Sequence, residues 1–201
     1  MNPESLTWRL LTAEELTNVY LNEMRRDFPA GELKPLSMIL NSEAAGTAHT
    51  WGVYEDDALV AYLLMVRPVG CEVSQLDYFA VLPQYRAGGI GAALLAALPD
   101  HEKGAQAILI EAECPEKPRM RLWLCAAWAF TPGAGPRTPA GQSISLMPGS
   151  GCVVLPCCGG KVRSPEEAVR QLADCYRRTM GEPQWRRNVT FYRPDGVEVQ
   201  F

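Results

Sequence analysis

Along the 201-residue chain, apolar positions recur sometimes every second residue and sometimes every three to four, and the changes of period mark out elements. Leu6 to Leu10 alternates as a short edge strand. Thr12 and Glu15 form a capping box, and Leu16, Val19, Tyr20 and Met24 follow at helical spacing, predicting a helix to about Arg26. Pro29 and Gly31 break it, and a short second helix is predicted from Pro35 to Asn41. Ala48 to Tyr54 reads as a strand and Asp56-Asp57 as a tight turn. Ala58 to Val66 is almost continuously apolar, as expected of a strand buried on both faces. Val73 to Val81 is a further strand, with Gln75, Asp77, Phe79 and Val81 on one face.

After Val81 comes a short loop, Leu82 to Gly88, then Ile90, Leu94, Leu95 and Leu98 on a small-residue helix expected to end at Pro99. Ala107 to Ile110 is the next strand, so a βαβ unit with parallel strands and a right-handed crossover is predicted. From Pro115 a helix carries Met120, Trp123, Leu124, Ala127 and Trp128 on one face. Residues 131–142 read as loop, and Ser143 to Met147 with Cys152 to Leu155 as a hairpin turning at Pro148-Gly149-Ser150-Gly151. A second capping box at Ser164 and Glu167, with Pro165 between, starts a helix that runs to Gly181. Val189 to Tyr192 and Val197 to Phe201 close the chain as two strands around Pro194-Asp195-Gly196. The fold class predicted is α/β of the α+β type: a mixed, mostly antiparallel sheet with a central parallel pair, flanked by helices.

With 47% hydrophobic residues, the chain has enough apolar material for one sizeable core. A net charge of −4 with no basic run argues against a nucleic-acid partner. No apolar run approaches the roughly 20 residues that span a bilayer, and Met1 to Ser5 lacks the basic and apolar regions of a signal peptide, so no membrane partner and a cytoplasmic location are expected. Seven cysteines, at 71, 114, 125, 152, 157, 158 and 175, form no even framework, and with two histidines and no C-x-x-C they are expected to be reduced thiols rather than metal ligands.

The chemistry concentrates in Leu82-Pro83-Gln84-Tyr85-Arg86-Ala87-Gly88-Gly89-Ile90-Gly91-Ala92-Ala93-Leu94-Leu95. A glycine-rich loop entering a helix presents unpaired amides and the positive end of the helix dipole, and Gly88, Gly89 and Gly91 let an anion approach without a Cβ in the way. Gly91 is followed by Ala92, not the Lys-Ser/Thr of a P-loop. Leu94 stands where a dinucleotide fingerprint needs a small residue, and several strands precede the motif, so nicotinamide cofactors are disfavoured as well. The alternative is a helix start kept slim only for packing.

Arg86-x-x-Gly89-x-Gly91, preceded by Asp77-Tyr78-Phe79-Ala80-Val81-Leu82-Pro83 and followed by Ala93-Leu94-Leu95, resembles the acetyl-CoA motif of the GNAT N-acetyltransferase superfamily, most closely over residues 73–98. Asp27-Phe28-Pro29-x-x-Glu32-Leu33-Lys34-Pro35 resembles an acceptor-side loop of a bacterial branch of it. The resemblance implies one GNAT-like domain over 1–201, with a core of about 1–156 and a helix and hairpin extension over 157–201. It implies acetyl-CoA as acyl donor, with backbone groups of Phe79, Ala80 and Val81 pairing with the pantetheine arm. One of those amides would stabilise the oxyanion. Amides of Arg86, Ala87, Gly88, Gly89, Ile90, Gly91 and Ala92 would hold the pyrophosphate. The acceptor implied is a primary amine, on a small molecule or peptide, that attacks the thioester directly; no metal is needed.

Two departures from the family pattern bear on mechanism. Aligned on Phe130, Cys125 stands where the superfamily commonly places a tyrosine that protonates the leaving thiolate; Cys125, water or Tyr78 are the candidate donors, and a small buried filler is the alternative for Cys125. Gln75 stands where some members carry a glutamate base, and Asp77 on the same face is the nearest substitute. Phe28 and Glu32 are candidates for the acceptor pocket. His49 is read as structural. The rival to an enzyme is a catalytically silent CoA-binding or regulatory module of the same fold, and the chain is expected to be a monomer or homodimer.

Overall fold

In a computed structural model describing residues 5–86, 88–113, 150–157, 165–180, 191–192 and 198–199, the chain divides into two units. The first is Met1–Val66 with Leu76–Gly91, and the second is Arg67–Gln75 with Ala92–Phe201.

In the first unit β1 (Thr7–Leu10) pairs antiparallel with β2 (Ala48–Glu55), from Thr7 opposite Tyr54 to Leu10 opposite Trp51. β2 pairs antiparallel with β3 (Ala58–Val66), with a register shift between Val53 and Tyr54. The Asp56-Asp57 turn joins them, and Asp56 takes the left-handed conformation (φ 52°) that a short polar side chain tolerates. Val60 to Met65 are fully buried, as the unbroken apolar run predicts. The later half of β4 (Val73–Val81) lies beside β3, and the Leu82 amide donates to the Val60 carbonyl at 2.8 Å.

Helix α1 (Ala13–Val19) begins at the predicted capping box: the Glu15 amide donates to Thr12 Oγ1 at 3.2 Å, and the Thr12 amide donates to the Glu15 carboxylate at 2.9 Å. The helix does not continue as a regular α-helix to Arg26. A π turn occupies Tyr20–Met24, and one short α turn, α2 (Arg25–Asp27), completes it. Val19 and Met24 are both buried although five residues apart, and a turn of i to i+5 hydrogen bonds is what sets residues at that spacing one above the other. Their side chains join Leu16, Ile39 and Tyr62 in the core, each contributing roughly 1.5–3 kcal/mol by leaving water. α3 (Leu36–Ala44) runs three residues beyond the predicted end.

α4 (Ile90–His101) starts in the first unit and continues in the second. It passes through Pro99 instead of stopping there. Proline forfeits the bond to the carbonyl four residues back and crowds that carbonyl, but it lies in the last turn of the helix, and the Glu102 amide still reaches the Leu98 carbonyl at 3.1 Å.

The second unit holds the start of β4, then β5 (Ala107–Glu113) and β6 (Ser150–Pro156), with α5 (Pro165–Met180). β5 and β6 are antiparallel from Ala107 opposite Pro156 to Glu113 opposite Ser150. Ser150 and Gly151, predicted as turn residues, are therefore strand residues: the ladder facing Ala112 and Glu113 satisfies their backbone groups. Ala168, Leu172 and Cys175 form the buried stripe of α5. Cys71, Cys157 and Cys175 are buried and form no disulfide. β7 (Phe191–Tyr192) and β8 (Glu198–Val199) make a separate antiparallel pair.

The class is the one predicted, a mixed and mostly antiparallel sheet with one parallel pair, supplied by β4-α4-β5, and flanking helices. The predicted helix from Pro115, the loop of residues 131–142, the strand Ser143 to Met147 and the cap at Ser164 lie outside the described residues.

Candidate functional site

Val81 ends its strand, and Leu82 is extended, so the chain leaves β4 straight into a single 3-10 turn, Pro83–Tyr85. Proline at the first position fixes φ for that turn and has no amide to leave unpaired. The Tyr85 amide closes it onto the Leu82 carbonyl at 2.9 Å. Ile90, buried, anchors the start of α4. Between them Gly89 has φ +77°, a conformation that side-chain-bearing residues rarely adopt, and no atom lies within 4 Å of where its Cβ would be. Gly88 and Gly89 are exposed. The first amides of α4 have no intrahelical acceptor, and the glycines before them carry no side chain to cap them. An open backbone cradle with aligned N–H groups suits a diphosphate. Ala87 lies outside the described residues.

The side chain of Arg86 does not point into that cradle. Its Nε donates to the Val81 carbonyl at 2.7 Å, and one terminal nitrogen donates to Asp27 Oδ1 at 3.0 Å. Asp27, on α2, has its carboxylate only 7% exposed. Its Oδ2 accepts the hydroxyl of the fully buried Tyr62 at 3.0 Å, and Arg26 lies across both oxygens at 3.2 Å. Burial, with the Asp27 charge beside it, raises the Tyr62 phenol far above its ordinary range.

Residues 28–35 are stapled to β4. The Tyr78 hydroxyl accepts the Lys34 amide at 2.8 Å and donates to the Glu32 carbonyl at 2.7 Å. Phe28 packs edge-on against the Tyr78 ring, with centroids 4.9 Å apart. Tyr20, in the π turn, donates to the Lys34 carbonyl at 3.0 Å. Lys34 Nζ meets the Asp77 carboxylate at 2.6 Å. Burial pushes the Tyr78 phenol up to about 12.

The structure thus brings Phe28, Glu32, Asp77 and Tyr78 together, with Glu32 taking part through its carbonyl while the residue stays exposed. Phe79 and Ala80 are half-buried on β4. Gln75 is buried within the second unit. Cys125 lies outside the described residues. His49 packs edge-on against Trp51. The sequence reading carries Asp27 and Lys34 only as members of the acceptor-side motif, with no role of their own, and gives Tyr62 none. A tyrosine in an otherwise apolar buried strand was a usable signal, since its hydroxyl needs a partner. Nothing local marks Lys34 as the partner of a residue 43 positions away. Among the described residues no three Asp, Glu, His or Cys side chains gather to hold a metal ion, and no helix is long and apolar enough to cross a membrane.

Residues 46–125 match the sequence profile of the acetyltransferase (GNAT) domain. No curated protein sequence matches the chain. Among solved structures, a GNAT-family protein from Bacteroides thetaiotaomicron superposes with a TM-score of 0.59 at 16% identity, covering 88% of this chain and 99% of its own. The ribosomal-protein-S18-alanine N-acetyltransferase of Escherichia coli gives 0.50 at 17% identity, over 79% of this chain and 96% of its own. The spermidine N-acetyltransferase of Vibrio cholerae in complex with CoA and spermine gives 0.54 at 10% identity, over 76% of this chain and 96% of its own. At such identities the likeness is one of fold.

Proposed function

We propose, from the match of residues 46–125 to the acetyltransferase (GNAT) domain, that this chain moves an acetyl group from acetyl-CoA to a primary amine by direct attack. The observation that carries the reading is the open cradle at Gly88 and Gly89, set between the end of β4 and the first turn of α4. The residues present fit a CoA diphosphate: Gly89 has empty space where a Cβ would stand, and the amides from Ala87 to Ala92 would supply the donors, the Arg86 amide being already held by the Pro83 carbonyl at 3.3 Å. Acetyl-CoA supplies the activated acyl carbon.

The chain's own groups divide the remaining work. Backbone groups of Phe79, Ala80 and Val81 align the acyl arm, and one amide there faces the developing oxyanion, which is commonly the largest single contribution in acyl transfer. The Val81 carbonyl already accepts Arg86, so its second lone pair is the one left for the arm. The acceptor nitrogen forms the new C–N bond as the C–S bond breaks; one proton leaves the nitrogen and one reaches the sulfur. Asp77 is the candidate proton acceptor, directly or through water, and Cys125 or water the candidate donor to sulfur. Tyr78 is better suited to anchoring than to proton transfer: its proton is committed to the Glu32 carbonyl and its phenol is a weakened acid. Phe28 and the Glu32 to Lys34 segment border the acceptor.

A catalytically silent CoA-binding module is the second reading. It is favoured by Asp77 being ion-paired and by an amide, Gln75, at the position where some family members carry a glutamate. Isothermal titration with acetyl-CoA and CoA, followed by a thiol-release assay over a broad amine panel, separates the readings. The enzyme reading expects binding and turnover, the silent module binding alone. No heat at about 1 mM cofactor, weaker than about −4.1 kcal/mol, ends both.

A further inference from the structure

The described turn after β4 carries one long side chain that folds back over it, that of Arg86, and that side chain ends on Asp27. Several features make Asp27 an unusually well-defined partner. Its carboxylate is 7% exposed, whereas Arg86 is 51% exposed, so the anion is the fixed half of the pair. One of its oxygens is held by the hydroxyl of Tyr62, itself locked in the centre of β3. The π turn sets its direction as well. An α-helix advances about 100° per residue, so one residue fewer between Val19 and Asp27 would swing the carboxylate to another side of the helix. The irregularity of the first helix and the placement of Asp27 are thus one feature.

We propose that Asp27 is a positioning residue for the acyl-donor turn, acting through Arg86: it holds the guanidinium against the Val81 carbonyl, fixing the path of residues 82–86 and keeping the charged side chain out of the cradle formed by the backbone. The proposal rests on the reading of that cradle as the CoA site. The π turn, Asp27 and Arg86 then link the helix that leads into the proposed acceptor segment to the loop proposed to take the donor, within one unit of the chain.

The test compares wild type, Asp27→Asn, Arg86→Gln and the double variant. Asparagine keeps an acceptor for Tyr62 and removes the charge that holds Arg86, and Arg86→Gln, on the surface, covers the case in which the first variant fails to fold. Amide hydrogen exchange in the ligand-free protein is expected to quicken across residues 84–91 in each single variant and no further in the double. Titration with CoA is expected to show Kd raised about tenfold in each, again without addition in the double, within the range in which contacting residues couple. With the amine that gives turnover, KM for acetyl-CoA rises while kcat at saturation stays unchanged. Unchanged exchange and affinity, tighter CoA binding in Asp27→Asn, or effects that add in the double variant would each overturn the proposal. Absence of CoA binding by the wild type would instead sink the functional reading, and the exchange measurement would still decide whether Asp27 holds the turn.

Discussion

Lys34 and Asp77 meet at 2.6 Å across 43 residues of sequence, joining the loop of residues 28–35 to β4. The lysine side chain is 43% exposed and the carboxylate 13%. An ion pair this open to water is worth about 0.2–1 kcal/mol, so its value lies in placement more than in stability. Lys34→Met and Asp77→Asn should each shift the urea midpoint by an amount within that range. If Asp77 accepts the amine's proton, Asp77→Asn should lower kcat/KM for the amine by about 10²-fold or more, whereas Lys34→Met should not. A loss of under about threefold in Asp77→Asn, far below what general-base catalysis supplies, would remove Asp77 from the reaction.

Tyr78→Phe separates an anchor from an acid. Its hydroxyl serves two backbone groups, the Lys34 amide and the Glu32 carbonyl, and removing it leaves both without that partner at a part-buried site. The expected cost is about 1–3 kcal/mol in equilibrium unfolding. If the loop it tethers borders the acceptor, as proposed, KM for the amine should rise while kcat changes little. A fall in kcat of about 10²-fold with stability unchanged would instead mark the phenol as the proton donor.

The strand–turn–helix over Val73 to Leu98 was legible because each part has a local signature: alternation through Val81, proline at the turn, glycines at the helix entry and apolar residues at helical spacing after it. The same locality explains what was missed. Val19 and Met24 are both apolar and near enough to helical spacing to pass as one face, and only the packed core reveals that five residues fill that turn. Asp27 and Arg86 are 59 positions apart, and a charged residue at a helix end reads as solvated until the strand carrying Tyr62 is brought beneath it. Ser150 and Gly151 have turn-like composition, yet a partner strand claimed their backbone groups.

Gly88 and Gly89 should respond differently to alanine. At Gly89 the space is open but φ is +77°, so Gly89→Ala should cost about 1–2 kcal/mol through backbone conformation alone. For a chain of this length that corresponds to a melting temperature lower by about 2–8 °C, with weaker CoA binding if the turn shifts to relieve the strain. At Gly88 a Cβ would meet the Ile90 side chain at 3.9 Å, an ordinary contact, so Gly88→Ala should leave stability within about 0.5 kcal/mol. Equal losses at both positions would show that the conformation at Gly89 is not what the turn depends on.

Glu15, paired with Arg9 and part of the capping box, gives the stability of the first unit an acid limb. The Arg9 hydrogen bonds, with the Thr12 amide next, hold the Glu15 carboxyl down at about 2 from its ordinary 4.5. A carboxyl depressed in the folded state stabilises the fold fully above about pH 4.5, and that contribution is lost as the pH falls toward about 2. Glu15→Gln should therefore be less stable than wild type at neutral pH, and the gap should close across that interval. Thr12→Ala removes the other half of the box, at a cost of about 1 kcal/mol, and leaves the acid limb in place because Arg9 still holds the carboxylate. Urea unfolding of the three proteins at pH 7, 4.5 and 2.5 checks this. A difference between wild type and Glu15→Gln that stays constant over the series would show that Glu15 titrates alike in the folded and unfolded chain.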